Sequence, residues 1–161
     1  MFKRIESIGF IFVLFIFAIS FFNMKSNNIL GISEVAELQS LGLKFDAKVD
    51  SGAESSSLHA KDIKVLDNEY VSFTTTNEKG QTVKVLKHIE FKRIIKSASG
   101  QKERIFIKEN VKIGSQYYQI FMNLADRSHL SKKMLIGKDI IKQGFLIDAN
   151  KKYLVSINRT K

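Results

Sequence analysis

The chain has no cysteine among its 161 residues. That excludes disulfide staples, a thiolate nucleophile and a cysteine-type zinc site. It has no proline either, which removes prolyl isomerisation as a slow folding step. Histidine is scarce: His59, His88 and His129 stand far apart and form no His-Glu-x-x-His pattern. Acids are outnumbered, 16 Asp and Glu against 26 Lys and Arg, for a net charge of +10. A basic surface suits nucleic acid, anionic lipid or acidic substrates. Here the lysines are scattered singly or in pairs, which suits a solvated surface equally well. Gly137-Lys138 lacks the other glycines of a phosphate loop. Ser51, His59 and Asp126 make a triad on paper, but no nucleophile elbow accompanies them.

What is present begins with one long apolar run. Lys3-Arg4 precedes an uncharged stretch from Ile8 to Phe22, extended by Ile5 and Met24. Residues 1–24 therefore read as an N-terminal membrane anchor or signal. Ala18-Ile19-Ser20 is the one candidate cleavage site, and bulky Phe21-Phe22 follow it, which argues for an uncleaved anchor. Lys3 and Arg4 place the N-terminus on the cytoplasmic side. The expectation is a single-pass inner-membrane protein with its C-terminal domain in the periplasm. The alternative is secretion to the periplasm after cleavage. Residues 25–30 read as a linker and 31–161 as one domain.

In that domain, Ile32, Val35, Leu38 and Leu41 fit a short helical stripe. Phe45 to Val49 alternates as a strand, and Leu58 to Ile63 reads as a connection. Tyr70 to Thr76 and Thr82 to Phe91 read as a hairpin around Asn77-Glu78-Lys79-Gly80. Lys92 to Lys96 and Arg104 to Ile107 flank the Ser97-Ala98-Ser99-Gly100 turn. Val111 to Ile113 and Tyr117 to Leu124 form a further hairpin at Gly114. Met134-Leu135-Ile136 reads as a short buried strand, and Gly137 to Gly144 as one short helix. Phe145 to Asp148 and Tyr153 to Ile157 read as closing strands. Many short strands with turns at close intervals predict an all-β fold, a small barrel or sandwich.

The chemistry centres on Asp50-Ser51-Gly52-Ala53, placed where a strand ends. Such a loop can present one carboxylate to a substrate. The tripeptide fits an ordinary Asx turn just as well. A carboxylate site needs a partner acid: two Asp side chains about 3 Å apart share one proton, one acting as base on a water and the other polarising the carbonyl. Asp126 and Asp139 are candidates, though capping is the default for each. Arg93, Arg104 and Arg127 read either as structural arginines or as bidentate clamps for a substrate carboxylate.

The order of these parts resembles a retropepsin. Asp50-Ser51-Gly52-Ala53 is followed by a hairpin tipped by Ser97-Ala98-Ser99-Gly100, then by Met134-Leu135-Ile136-Gly137-Lys138 entering a helix. More closely, the chain is similar to a bacterial retropepsin-like family labelled "ATP-dependent zinc protease". The marks of that family appear as Ala47-Lys48-Val49-Asp50-Ser51-Gly52-Ala53, Ser57-Leu58-His59-Ala60, Arg93, Glu103-Arg104, Asp126-Arg127 and Phe145-Leu146-Ile147-Asp148. The resemblance implies a small closed acid-protease barrel with one short C-terminal helix. It implies that Asp50 is the catalytic acid, with Ser51 bonding beneath the loop and Gly52 and Ala53 admitting the substrate backbone. Ser97 to Gly100 would be the flap, and Ile136 and Gly137 would pass under the active loop. The chain departs from the family pattern at Ser51, usually Thr, at Glu54, usually basic, and at Lys138, usually Arg.

The single Asp-Ser-Gly then implies a homodimer, with one Asp50 from each chain at the two-fold axis. The expected activity is that of a membrane-anchored aspartic endopeptidase acting on a peptide or protein. The alternative is a non-catalytic periplasmic β domain that binds a peptide or an envelope partner. No cofactor, metal or nucleic acid is expected, because "zinc" finds no ligand set and "ATP" no nucleotide loop.

Overall fold

A computed structural model describes residues 29–97 and 100–157. Twelve strands make up nearly all of its regular structure. They are β1 (Ile29–Leu30), β2 (Ser33–Leu38), β3 (Leu43–Val49), β4 (Ser57–His59), β5 (Lys61–Leu66) and β6 (Tyr70–Thr76). Then follow β7 (Thr82–His88), β8 (Phe91–Ser97), β9 (Gly100–Ile113), β10 (Gln116–Ala125), β11 (Met134–Ile136) and β12 (Leu146–Ile147). Two one-turn helices, α1 (Lys138–Ile141) and α2 (Leu154–Ile157), complete the order. The fold is all-β, as expected, with two short helices where one was expected.

The principal sheet runs β10-β4-β11-β3-β2-β9-β8, and β9 also pairs with β10. β5, β6 and β7 form a separate three-stranded sheet. Strict alternation on β3 drives Leu43, Phe45, Ala47 and Val49 inward and leaves Lys44 and Lys48 outside. Phe45, Leu58, Phe73, Ile107, Met122, Met134 and Ile136 meet in one core, each nearly inaccessible to water. Burying each such side chain contributes roughly 1.5–3 kcal/mol before entropy is counted.

Four local expectations are corrected. The 31–43 stripe is strand β2 and then a 3-10 turn at Gln39–Leu41. Ile32 and Val35 of that stripe are exposed, while Ala36 and Leu38 are buried. Pairing with β3 and β9 outweighs a weak helical period. Residues 58–63 are not a connection, because β4 is fully buried between β10 and β11. Arg104–Ile107 and Val111–Ile113 belong to one fourteen-residue strand, β9. Tyr153–Ile157 ends in helix α2, not a strand. The fully buried Glu34 carboxylate accepts the Leu154 N–H at 2.8 Å and the Ser156 hydroxyl at 2.7 Å, which caps that turn.

Ile29 and Leu30, within the segment read as a linker, pair in parallel with Leu146 and Ile147. The expected inner-membrane, periplasm-facing placement is also corrected. Among the described residues no helix is long and apolar enough to cross a membrane. The 1–24 run on which that placement rested lies outside the described residues.

Candidate active site

Asp50 follows the last residue of β3, beside the parallel neighbour β11. Its N–H donates to the Ile136 carbonyl at 3.0 Å, so the acid leaves the sheet at a defined point. Its Oδ1 accepts the Gly52 N–H at 3.0 Å, the Asx turn that the tripeptide allowed. Lys48 lies two residues back on the same strand face and reaches Oδ2 at 3.2 Å. Partial burial pushes the carboxyl up. The Gly52 amide, Lys48 and Arg127 outweigh it and hold Asp50 below the ordinary carboxylate value. Ser51 does not bond beneath the loop: it is exposed, and its hydroxyl has no hydrogen-bond partner among the described residues.

The support beneath the loop comes from Ser56 and Asn123, which carried no sequence signal, together with Asp139 and the Gly137-Lys138 segment. Ser56 donates its N–H to Asp139 Oδ2 at 2.8 Å and its hydroxyl to Asp139 Oδ1 at 2.7 Å. The same hydroxyl accepts the Gly137 N–H at 3.0 Å. The Lys138 N–H donates to the Ala53 carbonyl at 2.8 Å. Asn123 adds bonds to Ser55, Ser56 and Ser57. Asp139 is thus a loop anchor. Burial raises its carboxyl despite these hydrogen bonds. Asp126 is also engaged locally, accepting the Ser128 N–H and hydroxyl.

Asp50 opens into a cleft of about 760 Å³ lined also by Gly52, Ala53, Glu54, Ser57 and Asn123. The β8–β9 hairpin forms one wall through Arg93, Ile94, Ile95, Lys96 and Arg104, and Arg127 lines it too. Of the expected flap tip, Ala98 and Ser99 lie outside the described residues, and Ser97 pairs through its backbone with Gly100. Ile136 and Gly137 are buried directly under the loop. The structure therefore brings Asp50, the three arginines and the hairpin into one cleft. Besides Asp50, the lining carboxylate is Glu54, which is committed to Lys138 at 2.6 Å. Among the described residues no cluster of three His, Cys, Asp or Glu could hold a metal.

Arg93 and Arg104 are direct cross-strand neighbours. Like charges so placed repel. No carboxylate among the described residues pairs with either. Arg93 instead stacks its guanidinium over Phe91 at 5.1 Å and Phe106 at 5.7 Å. Arg127 is buried, and its Nε donates to the Lys132 carbonyl at 3.1 Å.

An all-β domain with an aspartate loop over an apolar-apolar-Gly strand, facing a basic hairpin, has the layout of a retropepsin-like domain. The chain belongs to the RimB-like family, described as retropepsin-like aspartic endopeptidase RimB, which matches residues 29–157. It is 30% identical over 131 residues to a probable alpha-L-glutamate ligase of Desulfotalea psychrophila, covering 76% of this chain and 28% of that protein. A protein of the same description from Shewanella pealeana is 27% identical over 133 residues, covering 78% of this chain and 29% of that protein. The chain spans less than a third of the length of these curated relatives. It is also similar to a crystal structure of a Legionella pneumophila protein of unknown function, at 28% identity and a TM-score of 0.67. That match covers 81% of this chain and 99% of the other.

Proposed function

We propose that this domain is an aspartic endopeptidase of retropepsin type, that two copies assemble its Asp50 dyad, and that its substrate carries glutamate side chains. The observation that carries this reading is the cleft itself. One loop-borne carboxylate faces three arginines, and the other lining carboxylate is tied up by Lys138. Among the described residues a single chain therefore offers the cleft no free second acid, and a two-fold axis at Asp50 would supply one. Ser51 and Gly52 are exposed, which leaves the loop free to meet its copy. The return of the principal sheet through the β9–β10 pairing supports reading it as a retropepsin-like barrel.

In the dyad, one Asp50 takes a proton from water as it attacks the peptide carbonyl. The other, protonated, donates to the carbonyl oxygen. The glutamate preference rests on Arg93 and Arg104, which pair with no carboxylate among the described residues, and on Arg127, which shares the cleft with Asp50. The name of the relatives, alpha-L-glutamate ligase, points to the same chemistry. In those longer proteins the part shared with this chain would be the peptidase part.

A second reading is a glutamate-peptide binding module without turnover. It is favoured by the ion pair of Asp50 with Lys48, which keeps a lone Asp50 ionised. The deciding experiment is cleavage of a glutamate-bearing peptide by wild type and Asp50→Asn, with a chelator control and sedimentation of both. Cleavage falls to background in the variant while both sediment as dimers. Undiminished cleavage by Asp50→Asn would sink the peptidase reading. Tight peptide binding without turnover by wild type would establish the second.

A further inference from the structure

His59 is the one buried imidazole in the fold that the peptidase reading does not use. It ends β4, with its ring 5% exposed. Its N–H donates to the Lys133 carbonyl at 2.7 Å, which fixes the backbone. Its Nδ1 accepts the Arg127 N–H at 3.0 Å. An imidazole nitrogen that accepts carries no proton, so the ring here is neutral with its proton on Nε2. The amide so held belongs to the buried arginine that lines the Asp50 cleft.

A second partner waits beside the first. Asp126 Oδ1 stands 3.7 Å from the same Nδ1. The two partners demand opposite protonation states. The Arg127 N–H needs a bare Nδ1, whereas the Asp126 carboxylate needs a protonated one. They are consecutive residues, so a change of partner moves the segment that carries Arg127.

We propose that His59 is a positioning residue: its neutral Nδ1 holds the Arg127 backbone, and protonation exchanges that bond for one to Asp126, withdrawing the arginine from the cleft. Burial works against the charged ring most strongly, and Lys133, Lys61 and Arg127 oppose it as well, while Asp126 favours it. The bonded arrangement is thus the one present at neutral pH, and acid drives the exchange. Its effect falls on binding of an anionic substrate more than on the chemical step at Asp50. In this respect the inference rests on the peptidase reading.

The test uses the full chain with His59→Asn and His59→Leu. Asn places a carbonyl oxygen where Nδ1 stands, accepts the Arg127 amide and takes up no proton. Leu can do neither. In wild type, KM for a glutamate-bearing peptide rises several-fold on acidification, with a smaller change in kcat. The Asn variant loses much of that rise, and the Leu variant has a raised KM at every pH. Separately, the Arg127 amide signal in wild-type NMR spectra titrates with the same midpoint as the His59 ring. It shows no such step in His59→Asn. An Arg127 amide that ignores the His59 titration overturns the proposal, as does an Asn variant with the wild-type acid rise in KM. If the Leu variant does not fold, wild type and Asn decide by the same two readouts. No turnover by any variant, with the amide still following His59, removes the peptidase reading and leaves this one standing.

Discussion

Gly137 lies against the Ser55 backbone so closely that a Cβ on it would stand 2.6 Å from the Ser55 carbonyl carbon and 2.9 Å from the Ser56 nitrogen. The strand that ends in Ile136 and the loop that follows Asp50 therefore touch backbone to backbone. The missing side chain lets the Gly137 N–H reach the Ser56 hydroxyl and the Lys138 N–H reach the Ala53 carbonyl.

Gly137→Ala forces that contact apart. Backbone cannot swing aside as a side-chain tip can, so the expected cost is at least the roughly 1–3 kcal/mol typical of overpacking. Thermal unfolding measures the loss. The Asp50 loop should also loosen, seen as faster amide exchange at Gly52 and Ala53. An unchanged melting temperature would show that the loop is not wedged as described.

The Arg93 and Arg104 pair should pull stability and binding in opposite directions. Arg104→Gln removes a cross-strand repulsion of about 0.2–1 kcal/mol, so the melting temperature holds or rises, whereas Arg93→Gln also gives up the stacking on Phe91 and Phe106, which offsets that gain. Charge-assisted hydrogen bonds are worth about 1.5–3 kcal/mol. Binding of a glutamate-bearing peptide should therefore weaken about tenfold or more, and binding of a neutral peptide should change little. Equal losses for both peptides would remove these arginines from the acid-binding role.

Stability should fall on acidification through His59. An unfolded histidine titrates near 6.5, and burial holds the folded ring below that value. As pH drops past 6.5 the unfolded chain takes up a proton that the folded chain refuses. The contribution is complete above about 6.5 and is lost as pH falls through the lower folded value. Asp139 tilts the other way: its folded carboxyl is raised, so its share is complete below 3.8 and is lost as pH rises through the folded value. Urea unfolding of wild type and His59→Asn between pH 8 and 5 separates the two. The variant should show the shallower acid decline.

Much of the frame was legible in the chain. Alternation marked β3, because a strand with one buried face must repeat every two residues, and the turns at Asn77 to Gly80 and at Gly114 marked the hairpins that hold β6 and β10. The Asp50-Ser51-Gly52-Ala53 loop and the Met134 to Gly137 segment stood out as a set, and the fold sets them side by side. β2 was hidden because it buries a serine and a glutamate along with Ala36 and Leu38, so its apolar residues follow no strand period. α2 was hidden because its cap, Glu34, lies about 120 positions earlier in the chain. Ser56 and Asn123 carried no local signal, and Asp139 read as a partner acid or cap, since each works by bonding to residues far away in sequence.

The sequence by itself determined the all-β class, the single Asp-Ser-Gly and the excess of positive charge, because alternation, turn residues and charge are local properties of a chain. Only the tertiary structure decided what surrounds Asp50. Strands distant in sequence put Arg93, Arg104 and Arg127 around one carboxylate and tie up the acids that could have joined it. It also turned a buried histidine toward the backbone of one of those arginines. These relationships span tens of residues, and chain order alone does not encode distances of 3 Å between them.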